Sequence, residues 1–316
     1  MPTSVPTEAE VIGYLKTCSN WGRWGADDQL GTINLITPAK RQAAARLVRD
    51  GVSVTCARPV VTDITADTTF QVMRFMVDSG EGRDTAPPER LLQRRGAGEF
   101  IGMVFHGYTI THVDSLAHFF WEGKIYNGRS CNLITAREGA TVEAVELLHA
   151  GVVSRGVLLD VARTRGVRWL ERGEGVMPAD LEAAERAQGV RVEPGDILLV
   201  RTGYYARRLA EGPVNPGRDG SPGPHAALAP WLRERGVALW GSDTHNDVTP
   251  TPYPGMGHPF HIVALVGLGL WLIDNMNLEE VARACAERSR WEFLLTVAPL
   301  RLRNVTGSPV NPIAVF

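Results

Sequence analysis

His106-Gly-Tyr-Thr-Ile-Thr-His112-Val-Asp114-Ser-Leu-Ala-His118 places three histidines and one aspartate in a single short stretch. The whole chain of 316 residues contains only eight histidines, so this density is unusual. Side chains alternate between the two faces of a β-strand, so a strand here would put four residues on one face: His106, Tyr108, His112 and Asp114. Imidazole and carboxylate groups are common ligands of zinc, manganese, iron and nickel. The stretch therefore indicates a metal or catalytic site, with hydrogen-bonded core residues as the alternative interpretation.

Short apolar runs and helical patterns alternate irregularly on either side of this stretch. Gly156–Val161 and Asp196–Arg201 are typical of buried strands. Pro38–Asp50 is expected to be a helix, because a threonine N-cap precedes it and a glycine follows it. His261–Leu270 is a further predicted helix. The pattern favours a mixed-sheet α/β fold over a dinucleotide-binding or barrel fold, and no GxGxxG motif joins a strand to a helix.

Composition and charge narrow the classes of function. The net charge is −2 and the arginines are scattered, so no nucleic-acid partner is expected. The longest apolar stretch, Ile262–Ile273, is interrupted by glycine and is shorter than the ~20 residues of a membrane span, so no membrane association is expected. Four widely spaced cysteines without a CxxC pair argue against a cysteine zinc site and favour a reduced, cytoplasmic protein.

Thr111-His112-Val-Asp114-Ser-Leu-Ala-His118 resembles the THxDxxxH signature of the cyclase family, which includes bacterial kynurenine formamidase and isatin hydrolase. The resemblance covers nearly the whole chain. It implies an α/β, swivelling β/β/α-type single domain whose mixed sheet is flanked by helices, with an N-terminal helical arm at 1–50 and a catalytic domain at 51–316. Weaker matches occur in the family's order: Trp24–Asp28, Gly31–Asn34, Gly156–Asp160, Pro194–Arg201, Gly241–Asp243 and His261–Leu278.

The resemblance also implies a ligand set for a divalent metal, zinc or manganese. His112 and Asp114 would bind the metal, and Asp114 could bridge two ions. His261 and Asp274 would complete the site, while His118 would act as the general acid and base. The chain departs from the formamidases in two places, because Tyr108 stands where they have histidine and Asp274 where they usually have glutamate. His106 could replace the missing histidine as a ligand.

Several other residues are candidates for lining the pocket. Tyr108, Trp121, Trp24 and His258 are predicted to contact substrate, with ordinary core packing as the alternative for the aromatic residues. His245 follows a predicted strand and could line the pocket or lie in a solvated loop. His149 and His225 are expected at the surface.

The predicted activity is that of a metal-dependent hydrolase. It would cleave an amide, lactam or ester of a small aromatic metabolite by metal-activated water, as an arylformamidase-like enzyme acting on carbon–nitrogen bonds other than peptide bonds. The resemblance implies a homodimer or larger homo-oligomer. A cyclase or dehydratase using acid–base chemistry in the same pocket is one alternative, and a non-catalytic binder of small molecules is another. A serine hydrolase is disfavoured, because no GxSxG motif is present.

Overall fold

The computed structural model describes residues 5–85, 87, 89 and 96–316, and a mixed sheet of nine strands lies at its centre. The longest central strands are rich in valine, leucine and isoleucine and are buried along most of their length, as in sheets covered on both faces. In spatial order the strands are β1 (Ser53–Thr55), β15 (Ile313–Val315), β13 (Glu292–Val297), β7 (Val152–Asp160), β9 (Ile197–Arg201), β11 (Leu239–Ser242), β12 (Trp271–Asp274), β4 (His112–Asp114) and β14 (Gly307–Pro309).

The four central strands β7, β9, β11 and β12 run parallel, whereas the strands outside them pair in antiparallel fashion. The predicted mixed-sheet α/β fold is therefore confirmed. Parallel strands end at the same edge of a sheet, and the loops that follow them commonly build sites there. In the part of the chain that the structure describes, three two-stranded pairs lie outside this sheet: β2 (Met73–Asp78) with β3 (Gly98–Gly102), β5 (Ile134–Thr135) with β6 (Gly139–Ala140), and β8 (Gly175–Val176) with β10 (Gly223–Pro224).

Helices flank the sheet, and the second and fourth of them contact β7. Within the described residues the α-helices are α1 (Glu8–Thr17), α2 (Pro38–Ala45), α3 (Val161–Thr164), α4 (Pro178–Gln188), α5 (Tyr204–Glu211), α6 (Pro216–Asp219), α7 (Ala229–Arg235), α8 (Pro259–His261) and α9 (Glu279–Arg288). Short 3-10 turns are Gly31–Leu35, Tyr126–Gly128, Cys131–Leu133, Val145–Leu148 and Ala226–Leu228. None of the helices in the described ranges is long and apolar enough to cross a bilayer.

The N-terminal segment lies against the last third of its own chain. The indole of Trp21 donates to the carbonyl of Val266 at 2.6 Å, and the amide of Asn20 donates to the carbonyl of Leu268 at 2.8 Å. The N-cap predicted for α2 is present, since the Thr37 hydroxyl accepts from a backbone N–H of the first turn. The helix ends at Ala45 rather than at Asp50.

The structure differs from the sequence predictions in two local details. The strand predicted around the histidine-rich stretch is only three residues long, and residues 106–111 form an irregular loop. Side chains satisfy the backbone of that loop, because Asn275 donates to the Gly107 carbonyl at 2.7 Å and Arg58 donates to the Tyr108 carbonyl at 3.0 Å. A helix is present where His261–Leu270 was predicted to form one, but its type differs: α8 (Pro259–His261) continues as a π-helix over Ile262–Leu268. π-Helical turns are rare and frequently occur at functional sites.

Candidate metal centre

The pairing of β4 with β12 brings two distant parts of the sequence together. In this antiparallel pair Asp274 lies opposite His112, and Leu272 lies opposite Asp114. His112 and Asp114 are two positions apart on β4, so their side chains emerge on the same face. The residues from mid-chain and from the last quarter of the chain therefore meet at the same edge of the sheet.

Asp114 is the centre of the cluster, and imidazole nitrogens surround its carboxylate. Its Oδ1 lies 3.0 Å from Nδ1 of His106 and 3.3 Å from Nε2 of His112. Its Oδ2 lies 3.5 Å from Nε2 of His261. The Oδ2 atom of Asp274 lies 3.7 Å from the same His261 nitrogen. The structure thus brings together all five residues predicted as metal ligands.

In His106, His112 and His261, the ring nitrogen that does not face Asp114 contacts a polar group outside the cluster. Nδ1 of His112 donates to the Ile110 carbonyl at 2.9 Å, and Nε2 of His106 lies 3.1 Å from the Thr306 hydroxyl. Nδ1 of His261 lies 2.6 Å from a carboxylate oxygen of Asp247. Such outer hydrogen bonds fix the ring orientation and direct the other nitrogen of each ring towards the cluster.

The polar atoms at the centre fit a cation. Both oxygens of Asp114 and Nδ1 of His106 are buried without a hydrogen-bond partner, although leaving buried polar atoms unpaired costs free energy. A divalent metal would satisfy these atoms, and imidazole with carboxylate is a ligand set suited to zinc or manganese. Two groups of three ligand atoms lie within 4.8 Å of one another and share Asp114: His106, His112 and Asp114, and Asp114, His261 and Asp274.

The charges of the cluster depend on one another. Burial favours the neutral form of His112, but the adjacent Asp114 carboxylate outweighs burial and raises the pKa of His112 to about 9. Burial would raise the pKa of Asp114, but His118 and His112 hold that pKa well below its usual range. Burial favours the neutral form of His261, but the nearby carboxylates of Asp114, Asp247 and Asp274 outweigh burial and raise the pKa of His261 well above its usual value. The carboxylate of Asp114 and the imidazoles of His112 and His261 therefore stabilise one another's charged forms.

His118 differs from the other three histidines of the cluster. Its Nε2 lies 3.9 Å from Oδ1 of Asp114, and it belongs to neither group of three ligand atoms. Its ring stacks on the ring of His106, with centroids 3.7 Å apart and planes at 9°. Burial, only partly offset by Asp114, lowers the pKa of His118 to about 3. At neutral pH this imidazole is uncharged and has a lone pair that can accept a proton.

A cavity of about 160 Å³ opens above the cluster. Tyr108 and Phe119 form part of its wall, and His258 lies exposed at its mouth. The ring of Tyr108 meets the ring of His245 edge-on, with centroids 5.0 Å apart. Six of the chain's eight histidines line this cavity: His106, His112, His118, His245, His258 and His261.

Three sequence-based placements need correction. Neither Trp24 nor Trp121 is among the described residues that line the cavity. Trp121 packs against the hydrophobic core instead, and Trp24 stacks under the guanidinium of Arg23, 4.7 Å from its ring centroid. His225 is buried rather than exposed. Its Nδ1 has a polar partner there, since it accepts from a backbone N–H at the start of a 3-10 turn.

Asn246 and Asp247 were missed by the sequence analysis, although both contact predicted ligands. Asn246 donates to a carboxylate oxygen of Asp274, and Asp247 contacts His261. Their position in the sequence could have indicated a role at the site, because they follow the carboxyl end of β11 by four and five residues. Polar residues at such strand ends commonly contribute to sites, but nothing in their spacing showed which ligand each would contact.

Comparison with known proteins gives one family match and several similar folds. A model of the cyclase family matches residues 62–246. The crystal structure of a novel cyclase superposes with a TM-score of 0.86 at 32% identity, covering 96% of this chain and 99% of that chain. Isatin hydrolase A from Labrenzia aggregata, bound to benzyl benzoate, superposes with a TM-score of 0.59 at 20% identity over 86% of this chain and 94% of that chain. Isatin hydrolase A from Ralstonia solanacearum superposes with a TM-score of 0.56 at 19% identity, covering 88% of this chain and 95% of that chain. No curated protein matches the chain in sequence.

Proposed function

Since the chain belongs to the cyclase family, we propose that it is a metal-dependent hydrolase cleaving an amide, lactam or ester of a small aromatic metabolite. One observation carries the proposal. The buried Asp114 carboxylate has no hydrogen-bond partner on either oxygen and is surrounded by imidazole nitrogens at the base of a cavity. A buried arrangement of this kind is suited to a cation, and the cavity gives a small molecule access to it. The likeness of the fold to isatin hydrolases agrees with a hydrolytic reaction.

His106, His112, Asp114, His261 and Asp274 would hold the metal. A bound divalent cation supplies Lewis acidity and lowers the pKa of water to about 7. His118 has the position of the proton carrier, since it lies beside Asp114 but belongs to neither group of three ligand atoms. Its imidazole accepts the proton that the attacking water loses and returns it to the leaving nitrogen or oxygen.

The cavity wall supports an aromatic substrate and an arylformamidase-like specificity. Tyr108, Phe119 and His245 present ring faces and edges to the cavity, and such surfaces pack well against a planar ring. Burial lowers the pKa of His245 to about 3, so this ring is uncharged. His258 at the cavity mouth would contact the substrate's outer end. An isatin hydrolase of the same fold has been crystallised with the product analogue thioisatinate.

The first prediction concerns the metal and the reaction together. Protein purified without chelator is expected to contain zinc or manganese by elemental analysis and to hydrolyse at least one member of a panel of aryl formamides, isatin and aryl lactones. Removing the metal with a chelator should reduce the rate on the order of 10³-fold, because water at the site would lose its lowered pKa. Adding zinc or manganese back should restore the rate.

Other results of the same experiment favour the alternatives. An active protein that contains no metal and is unaffected by chelator would support a cyclase or dehydratase that relies on acid–base chemistry. Tight binding of a panel compound without turnover would support a non-catalytic binder. Either result would contradict the hydrolase proposal.

We also propose a homo-oligomer, because the β2–β3 ribbon exposes an unusual amount of apolar surface. Phe75 is 56% exposed, Val77 65% and Ile101 59%, and the rings of Phe75 and Phe100 stack with centroids 4.9 Å apart. Monomeric proteins rarely expose contiguous apolar patches of more than a few hundred Å². A second copy of the chain would cover this surface.

Sedimentation equilibrium tests the oligomer. The unmodified protein is expected to be a dimer or larger at micromolar concentration, whereas the double variant Phe75→Glu/Ile101→Glu should sediment as a monomer, since burying two carboxylates in an apolar contact is costly. Leu209→Glu is the control, because Leu209 is 63% exposed on α5 and belongs to neither strand of the ribbon. A monomeric unmodified protein would refute the proposal.

A reducing, cytoplasmic location is also proposed, and the state of the cysteines supports it. All four cysteines, each within the described ranges, are free. Burial raises the pKa of Cys56 to about 12, so this thiol is unreactive. Free thiols persist most readily where glutathione and thioredoxin keep them reduced.

A further inference from the structure

The loop after β11 contacts two of the predicted metal ligands from outside the cluster. We propose that Asn246 and Asp247 are positioning residues for the metal centre, each fixing one ligand of the last quarter of the chain. This inference rests on the proposed function, since it concerns the metal that the hydrolase would use. Asp247 belongs to neither group of three ligand atoms that could hold a metal, and the side-chain nitrogen of Asn246 donates to the carboxylate of Asp274.

Asp247 determines how the His261 ring is oriented. Its carboxylate is 1% exposed, and its Oδ2 lies 2.6 Å from Nδ1 of His261. Its Oδ1 accepts from the backbone N–H of Phe260 at 2.8 Å, so the carboxylate is fastened to the helix that carries the histidine. An ionised carboxylate only accepts hydrogen bonds, and Nδ1 must therefore carry a proton. Nε2 is therefore the nitrogen that faces Asp114 and Asp274, and it is the atom that would bind a cation.

Asn246 determines which oxygen of Asp274 faces the cluster. Its side-chain nitrogen donates to Oδ1 of Asp274 at 2.5 Å and to the Ile273 carbonyl at 2.9 Å. Its side-chain oxygen accepts from the indole N–H of Trp240 at 2.8 Å and from the Ser242 hydroxyl at 2.6 Å. An indole N–H can only donate, so the amide cannot be flipped without losing these bonds. Oδ1 of Asp274 is occupied, and Oδ2 is the oxygen that faces His261.

The two contacts together give the loop a role in metal affinity. A ligand that is already oriented loses little conformational freedom when the cation binds, and a carboxylate partner makes an imidazole a stronger ligand. Loss of such an outer partner typically weakens metal binding 10–100-fold. Because Asn246 and Asp247 are consecutive, one loop conformation sets both His261 and Asp274. Asn246 adopts a φ of 53°, a left-handed conformation that asparagine tolerates better than most residues.

The test measures the affinity for zinc by competition with a chromophoric chelator, and the absorption spectrum of the cobalt(II)-substituted protein. The variants are Asp247→Asn, Asp247→Ala and Asn246→Gly, where glycine keeps the left-handed backbone while removing the amide. Each is expected to bind zinc about 10–100-fold more weakly and to change the cobalt spectrum, since the geometry of the ligands changes. Asp160→Asn is the matched control. Asp160 is equally buried and hydrogen-bonded, to the N–H of Arg163 and the guanidinium of Arg201, but lies at the end of β7.

The outcomes separate this inference from the proposed function. If the unmodified protein binds zinc tightly and the three variants bind it equally well with an unchanged cobalt spectrum, the positioning role is wrong and the metal site stands. If the unmodified protein binds neither metal, the proposed function itself fails. Far-UV circular dichroism verifies folding. If Asp247→Ala does not fold, the isosteric Asp247→Asn and Asn246→Gly decide the question, and a weakening in Asp160→Asn of the same size would also contradict the inference.

Discussion

Replacing His112 with alanine is expected to abolish metal binding and to reduce turnover on the order of 10³-fold, equivalent to about 4 kcal/mol of transition-state stabilisation at 1.36 kcal/mol per tenfold change. His112 is the first residue of β4 and is only 1% exposed. Its Nδ1 donates to a backbone carbonyl, and its Nε2 faces Asp114. Its removal would take away one ligand and leave the buried carboxylate of Asp114 with one imidazole fewer. Elemental analysis and steady-state kinetics on the same preparation measure both effects.

His149→Ala is the control for the His112 variant. His149 is exposed and does not belong to the cluster. Its Nδ1 lies 3.2 Å from the carbonyl oxygen of Glu146. Metal content and turnover of this variant should equal those of the unmodified protein. A His112 variant that keeps its metal and its activity would remove the basis of the ligand assignment.

Replacing His118 with alanine is expected to lower kcat by about 10²–10⁴-fold while most of the metal stays bound, because the variant loses a general acid and base. The expectation follows from the geometry, since His118 is beside Asp114 but outside both groups of three ligand atoms. The metal content of the purified variant shows whether His118 is a proton carrier, in which case the metal stays bound, or a ligand, in which case the metal is lost. His106→Ala is the informative comparison, because His106 stacks on His118 but belongs to a ligand group, and its loss should weaken metal binding.

Loss of the metal from the His118 variant would show that His118 is a ligand. In that case the proton would have to be carried by another group at the cavity, and the role assigned to His118 would be withdrawn. An unchanged kcat with the metal in place would equally contradict the assignment.

The two halves of the site differ in how far the sequence could predict them. His112 and Asp114 could be placed on one face, because alternation along a strand is a local property of the backbone. His106 and Tyr108 also reach the cavity, but from an irregular loop whose carbonyls are bonded to the side chains of Asn275 and Arg58. Those donors are distant in sequence, so no local pattern could reveal that the strand stops.

The aromatic residues show a related limit. Tyr108 lines the cavity, whereas Trp24 and Trp121 do not, although all three were candidates for contact with substrate. An aromatic side chain serves equally well in a core or in a pocket wall, and the residue type alone does not distinguish them. His225 was misplaced for a similar reason, since a buried histidine with a backbone partner looks like any other histidine in sequence.

The sequence by itself determined the mixed α/β fold and a histidine–aspartate stretch with the character of a metal site, because strand alternation and ligand chemistry are properties of short segments. The family resemblance named His261 and Asp274, but only the tertiary structure decided how they come to lie beside Asp114 and which residues hold them there. The antiparallel pairing of β12 with β4 places Asp274 opposite His112, and the loop after β11 places Asp247 in contact with His261. These contacts join residues far apart in the chain, and their distances depend on strand register and packing rather than on any local preference of the backbone.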